Sequence, residues 1–243
     1  MSARFVSPQP VPDEKNVWDP SEGLHGLYNF WGFRGLDGLV SRRLGGGSLI
    51  YANVLMRKDG ELFVKEDVSN RGYEYWSITR AELDPTNDPV EGMLCPQRYP
   101  FDQAPYSDTS RTRTFGEAAR RLGLEPFMTK LAVTFANEGE VPVPGNPIRE
   151  DHPNLHDQRR YTCRLVGECD FGCNCGSKNS LDYTYLSEAR QHNADLRTRC
   201  VVKAFEPRDG GGYAVRYVHH DPEREGHKTN TSHLPLHTVT TDR

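Results

Sequence analysis

The sequence predicts an α+β fold, on three observations. Residues 113–122 and 179–190 repeat apolar side chains at helical spacing: Phe115, Ala118, Ala119 and Leu122 in the first, Leu181, Tyr185, Leu186 and Ala189 in the second. Residues 196–205 and 213–219 read as strands joined through Asp209-Gly210-Gly211-Gly212, a turn signal that predicts a β-hairpin. The 22 glycines and 17 prolines make 39 of 243 residues, or 16 %, above the average of about 12 %. Irregular connections, rather than long helical bundles, should therefore join the elements.

Taken in order, residues 1–23 are rich in Pro, Asp and Ser and are expected as an extended lead-in. Residues 24–40 set large aromatics among four glycines, which suits irregular backbone lying over another part. A triple glycine, Gly45-Gly46-Gly47, then runs into the apolar segment 49–54, with Ser48 placed as a helix N-cap. Within 73–95, Pro85 and Pro89 each remove a backbone donor and crowd the preceding turn, so at most two short helices are expected. Gly123 offers a stop to the helix over 113–122. Four prolines and few apolar residues make 136–160 a long loop. A third strand is expected over 236–241.

Composition excludes several classes. With 30 Lys and Arg against 34 Asp and Glu the net charge is −4, so no overall basic field gathers nucleic acid. Apolar residues are 35 %, or 44 % with the glycines added, slightly below the roughly 45–50 % of ordinary domains; core material is scarce. No apolar stretch approaches the ~18 residues of a membrane span, and the opening residues lack the apolar core of a signal peptide. A cytoplasmic protein with reduced thiols is the expectation, since four of six cysteines crowd between Cys163 and Cys175.

Three glycines in a row let the backbone approach a bound group more closely than any side chain allows, and equally make a tightly turned loop. The run is not a dinucleotide fingerprint, because no periodic strand precedes it. Cys163, Cys169, Cys173 and Cys175 have the spacing C-x5-C-x3-C-x-C, with His152 and His156 upstream. A cysteine-rich module binding zinc is one reading. Structural zinc sites pair their ligands as C-x2–4-C, however, so buried thiols in a glycine-rich loop are the other. His219, His220, His227, His233 and His237 read as solvated surface histidines, and no nucleophile elbow or P-loop is present.

The segment 44–54, LGGGSLIYANV, and the later segment 163–182, CRLVGECDFGCNCGSKNSLD, together resemble the glucose-methanol-choline (GMC) oxidoreductases, in particular their cholesterol-oxidase-like bacterial branch. The following CVVKAFEP and DGGGY, at 200–207 and 209–213, match as well. The resemblance implies FAD as cofactor, with Gly45, Gly46, Gly47 and Ser48 approaching its pyrophosphate and flavin, Asn53 beside the isoalloxazine and Val202 meeting the adenine. It departs at Val166, where the branch has another cysteine, and at Pro85 and Pro89, where the branch has an uninterrupted helix.

The same resemblance implies an incomplete FAD-binding domain with part of the substrate domain. On this reading the N-terminal Rossmann βαβ and the C-terminal catalytic half are missing, and no catalytic residue is assigned. Residues 24–59 would be the FAD-contacting segment, 60–160 a partial substrate-domain region, and 161–243 the Cys/Gly-rich loop, helix and hairpin of the FAD domain. The implied reaction is oxidation of the CH–OH group of an alcohol, sterol-like in the branch. A fragment of this kind should be inactive alone, with a complementing polypeptide as its expected partner.

Overall fold

The computed structural model describes residues 16–67 and 69–242, so residues 1–15 of the lead-in expected over 1–23, and the reading of its leader, fall outside the described residues. Along the chain run β1 (Trp18–Asp19), β2 (Leu24–His25), β3 (Tyr28–Phe33), β4 (Leu36–Ser41), β5 (Val54–Leu55), β6 (Val64–Asp67) and β7 (Gly72–Tyr75). Then come α1 (Arg80–Leu94), β8 (Gln97–Arg98), α2 (Ser110–Arg121), β9 (Lys130–Leu131), α3 (Tyr185–Gln191), β10 (Cys200–Pro207), β11 (Tyr213–His219) and β12 (Leu236–Thr240). The architecture is mixed α and β, and the described residues fall in two compact units: 16–47 with 194–242, and 48–193. The stretch 161–193 lies in the second unit, with residues 48–160.

The first unit is built on antiparallel pairs. Strands β3 and β4 pair from Tyr28↔Ser41 to Phe33↔Leu36, and Gly35 at φ +81° lets the chain reverse within two residues. Residues 16–23 are not extended throughout, because Trp18 and Asp19 pair back onto His25 and Leu24. The predicted hairpin is present as β10–β11, starting later than expected at Cys200, and β12 completes a three-stranded sheet in the order β10-β11-β12. Gly212 must be glycine, since a Cβ there would lie 2.0 Å from the Thr241 carbonyl oxygen.

Trp18, His25 and His220 form an aromatic cluster in this unit, with ring centroids 5.4–6.1 Å apart. The His25 Nδ1 lies 3.0 Å from an Arg199 amine, so it accepts and the ring is neutral. Burial, then the Arg199 charge, lowers the His25 pKa below 6.5; burial, then His25 itself, lowers that of His220. Both imidazoles bind protons more readily once unfolded. Their contribution to stability is therefore present above about pH 6.5 and lost as pH falls through their folded values. Protection of amides at residues 24–28 and 218–220, taken relative to their intrinsic exchange rates, should fall between about pH 7 and 5, and His25→Phe should flatten that dependence.

The second unit holds a small sheet in the order β5-β9-β8. Its core is a cluster of Tyr106, Val133 and Phe135, with Tyr99, Leu131 and Cys163 packed on it. The rings of Tyr99, Tyr106 and Phe135 meet edge to face at 5.4–5.8 Å.

Helix α1 corrects the expectation of two short helices. It runs unbroken for 15 residues through Pro85 and Pro89. At its start Thr79 and Glu82 form a reciprocal capping box, with Thr79 N–H donating to Glu82 at 2.7 Å. Along one side, the Arg57 guanidinium spans Asp84, Asp88 and Glu91 at 2.9, 2.6 and 2.5 Å. These carboxylates recur at i, i+4 and i+7, so one side chain bridges the turns that the prolines weaken. Helix α2 begins earlier than the predicted 113–122 and ends at Arg121, with Leu122 as its C-cap and Gly123 at φ +73° after it. Helix α3 is shorter than expected, because side chains capture the backbone before it: Thr184 Oγ1 donates to the Ser180 carbonyl, and Ser187 Oγ to that of Asp182.

Candidate functional site

Residues 48–53, which follow the glycine run, and residues 178–181, far apart in sequence, are strapped together inside the second unit. Leu181 N–H donates to Ser48 Oγ at 2.9 Å, and the Lys178 amine donates to the Tyr51 carbonyl at 2.7 Å. Ala132 mediates the rest: its N–H reaches the Asn53 carbonyl, and its carbonyl accepts from Asn179 N–H, both at 2.8 Å. Residues 48–53 contain little regular structure, so these bonds replace the ladder that a strand would have supplied. Ser48 corrects its expected role. It lies within a 3-10 turn, Gly46–Leu49, with no α-helix after it, and its hydroxyl serves the Leu181 amide rather than a helix cap.

Lys178 is the anchor of this strap. Fully buried, its ammonium donates to the carbonyls of Tyr51 and Cys169, both at 2.7 Å, and sits over the Tyr51 ring at 4.6 Å, with the charges of Asp170 and Asp182 acting in its favour. Burial pushes the amine pKa down, and burial likewise pushes the Tyr51 hydroxyl up. Beside it the buried Asn179 amide donates to the Leu94 carbonyl at 2.9 Å and accepts from Thr134 Oγ1 at 3.0 Å and from Arg160. Arg160 also donates to the Gly176 carbonyl at 2.7 Å and stacks over Tyr183 at 4.6 Å. Asp182 accepts from Ser180 at 2.5 Å and lies 2.7 Å from His156 Nε2.

The residues singled out in the sequence are divided between the units. Gly45, Gly46, Gly47 and Val202 belong to the first, Ser48 and Asn53 to the second. Gly45 and Gly46 have φ of +107° and +56°, which only glycine adopts readily. A Cβ at Gly46 or Gly47 would meet nothing within 4 Å, so the main chain there is bare and accessible. Asn53 sits at φ +65° with its side chain buried, and its Oδ1 has no hydrogen-bond partner. Val202 lies on β10, at the edge of its sheet, with its side chain exposed.

All six cysteines are free thiols. Among the described residues no group of three or more His, Cys, Asp or Glu side chains could hold a metal, so the zinc reading of Cys163, Cys169, Cys173 and Cys175 receives no support. Burial raises the Cys163 thiol pKa, as suits a packed side chain rather than a metal ligand. An open cleft of about 440 Å³ lies on the first unit between Arg197, Thr198, Cys200, Tyr217, His219 and His237, with none of the glycine-run residues in its lining. Sequence reading missed Lys178, Asn179 and Arg160. Nothing in their neighbours' hydropathy marks them, because each is buried by its hydrogen bonds and not by periodicity.

Comparison with known proteins adds three findings. Residues 151–239 match the family model described as GMC oxidoreductase. Proteins named cholesterol oxidase from two strains of Mycobacterium tuberculosis are each 29 % identical over 206 residues, which is 84 % of this chain and 34 % of theirs. A cholesterol oxidase of Acinetobacter baumannii is 26 % identical over 200 residues, 80 % of this chain and 33 % of its own. The chain thus spans about a third of the length of these relatives.

Proposed function

We propose that this chain is a GMC oxidoreductase and forms part of an FAD-dependent oxidoreductase acting on the CH–OH group of an alcohol, sterol-like in the relatives' names. The observation that carries the reading is Asn53. A buried amide oxygen without a partner is costly, and a donor from a bound group would satisfy it. The bare backbone of Gly46 and Gly47 supports the same reading, since a flat ring or phosphate needs room where a Cβ would stand.

FAD, when bound, would accept hydride from the alcohol carbon. What this chain's own residues contribute is holding and orientation. Gly45, Gly46 and Gly47 would offer main chain, Ser48 is held in place by Leu181, Asn53 would accept a hydrogen bond, and Val202 would present an edge-strand backbone. No residue here is assigned a proton-transfer step. The chain by itself should bind FAD weakly and turn over no alcohol. The remaining two-thirds of the fold, a complementing polypeptide as its source and a cytoplasmic location belong to the same reading. Among the described residues no helix is long and apolar enough to cross a membrane.

Gly47→Val provides the test, because Gly47 lies outside the positive-φ region and its Cβ meets no neighbour, so the variant should fold normally. Excess FAD should slow amide exchange across residues 44–54 in the natural chain and not in Gly47→Val. Equal exchange in both, with and without FAD, would refute the assignment. Tight stoichiometric flavin on the purified chain would refute the expectation of weak binding.

A further inference from the structure

We propose that Cys169 and Cys173 are a peroxide-sensitive thiol pair, whose oxidation to a disulfide loosens the hold of Lys178 on residues 48–53. Four of the six free thiols lie between Cys163 and Cys175, and among the described residues no metal site accounts for them. Their surroundings differ. Cys163 is a packed side chain whose sulfur accepts from Leu165 N–H at 3.4 Å. Cys169 is half-buried, within reach of a small oxidant, and Cys173 is buried.

The backbone folds these two residues onto one turn. Residues Cys169–Phe171 form a 3-10 turn, in which Phe171 N–H donates to the Glu168 carbonyl at 3.0 Å. Gly172 at φ +98° then reverses the chain, and Cys173 N–H returns to the same carbonyl at 3.1 Å. That bond closes a six-residue ring of the Schellman kind, so Cys173 comes back over the turn that carries Cys169. The Glu168 carboxylate adds to the closure by accepting from the Asn174 amide at 3.1 Å. Cys173 itself sits at φ +58°, a conformation that a residue with a side chain keeps only where its surroundings enforce it.

Lys178 gives the pair its consequence. Its buried ammonium donates to the carbonyls of Cys169 and Tyr51, both at 2.7 Å, so one cation ties the cysteine turn to the strap. Ionised Cys169 and Cys173 each raise the Lys178 pKa, which means that both sulfurs act on this same cation. With hydrogen peroxide as oxidant, the Cys169 thiolate attacks one peroxide oxygen, the O–O bond breaks, and hydroxide leaves a sulfenic acid on Cys169. The Cys173 sulfur then attacks the sulfenic sulfur, and the hydroxyl departs as water with the Cys173 proton. Two thiols and one peroxide thus give one disulfide and two waters. An S–S bond of about 2.05 Å requires the turn to tighten around Cys169, and this carries its carbonyl away from Lys178. The inference is independent of any bound flavin.

Peptide mapping and hydrogen exchange test it on the full chain, reduced with dithiothreitol and then exposed to hydrogen peroxide. A disulfide should join Cys169 to Cys173, and dithiothreitol should reverse it. Exchange at residues 48–53 should quicken about tenfold on oxidation, as the loss of one buried hydrogen bond from a charged donor implies. Cys173→Ser should stop at the sulfenic acid, which dimedone traps on Cys169, with no change in exchange at 48–53. Cys95→Ser combined with Cys200→Ser removes the thiols outside the cluster and should leave every readout unchanged. Thiols that survive peroxide, a disulfide between any other cysteines, or unaltered exchange at 48–53 once Cys169 and Cys173 are joined would overturn the proposal.

Discussion

Tyr106→Ala is expected to cost about 3–5 kcal/mol, the usual penalty for truncating a buried aromatic side chain, and to unfold the second unit. Tyr106 is fully buried and belongs to the cluster with Val133 and Phe135. Its ring contacts Tyr99 and Phe135 edge to face, while its hydroxyl donates to the Cys163 carbonyl at 2.6 Å. With so small a cluster no second layer can collapse into the space, and a marginal domain has little reserve against such a loss. Native-state hydrogen exchange at residues 97–107 and 131–135 should lose its protection. Tyr106→Phe separates the two contributions: it keeps the ring, leaves the Cys163 carbonyl unpaired, and should cost about 1–2 kcal/mol.

The same residue gives an alkaline signature. Burial pushes the Tyr106 hydroxyl from 10.0 up to about 12. Unfolded chains would lose this proton first, so stability is intact below about pH 10 and falls as pH rises toward 12. Tyr106→Phe should be less sensitive over that interval.

Lys178→Met should cost about 2–4 kcal/mol, although it keeps nearly the same length and adds no charge. The reason is the two carbonyls, of Tyr51 and Cys169, that the ammonium serves at 2.7 Å. Left unpaired in the interior, each loses about 1–3 kcal/mol of solvation without return. Relief from burying a cation offsets part of this, which keeps the estimate below the full sum. Exchange at residues 48–53 should rise more than at 80–94, because the strap is released while Arg57 still holds α1. Equal loosening throughout the unit, or no loss of stability, would show that Lys178 does not anchor residues 48–53. Asn53 is held through Ala132 as well, so its carbonyl should remain paired.

How far the sequence could be read depended on the kind of signal. The α2 stripe and the hairpin at Asp209-Gly210-Gly211-Gly212 were legible because helical period and turn chemistry are local properties. Helix α1 was misread for the same reason: Pro85 and Pro89 are strong local breakers, and the clamp that overrides them comes from Arg57, 27 residues before Asp84. Ser48 followed the local rule for a cap, yet its hydroxyl is taken by Leu181, 133 residues away. The likeness to GMC oxidoreductases was legible in the ordered pair of motifs, while their mutual bonding was not.

Composition, turns, helical stripes and the paired motifs were fixed by the chain itself, since each follows from neighbours a few residues apart. Tertiary structure alone decided that α1 survives its prolines, that Lys178 is buried on two backbone carbonyls, that Asn53 keeps an unpaired oxygen and that α2 stands uncovered. Those outcomes depend on which carbonyls, carboxylates and rings arrive from distant segments, and pairwise contact in space leaves no periodic trace along a sequence.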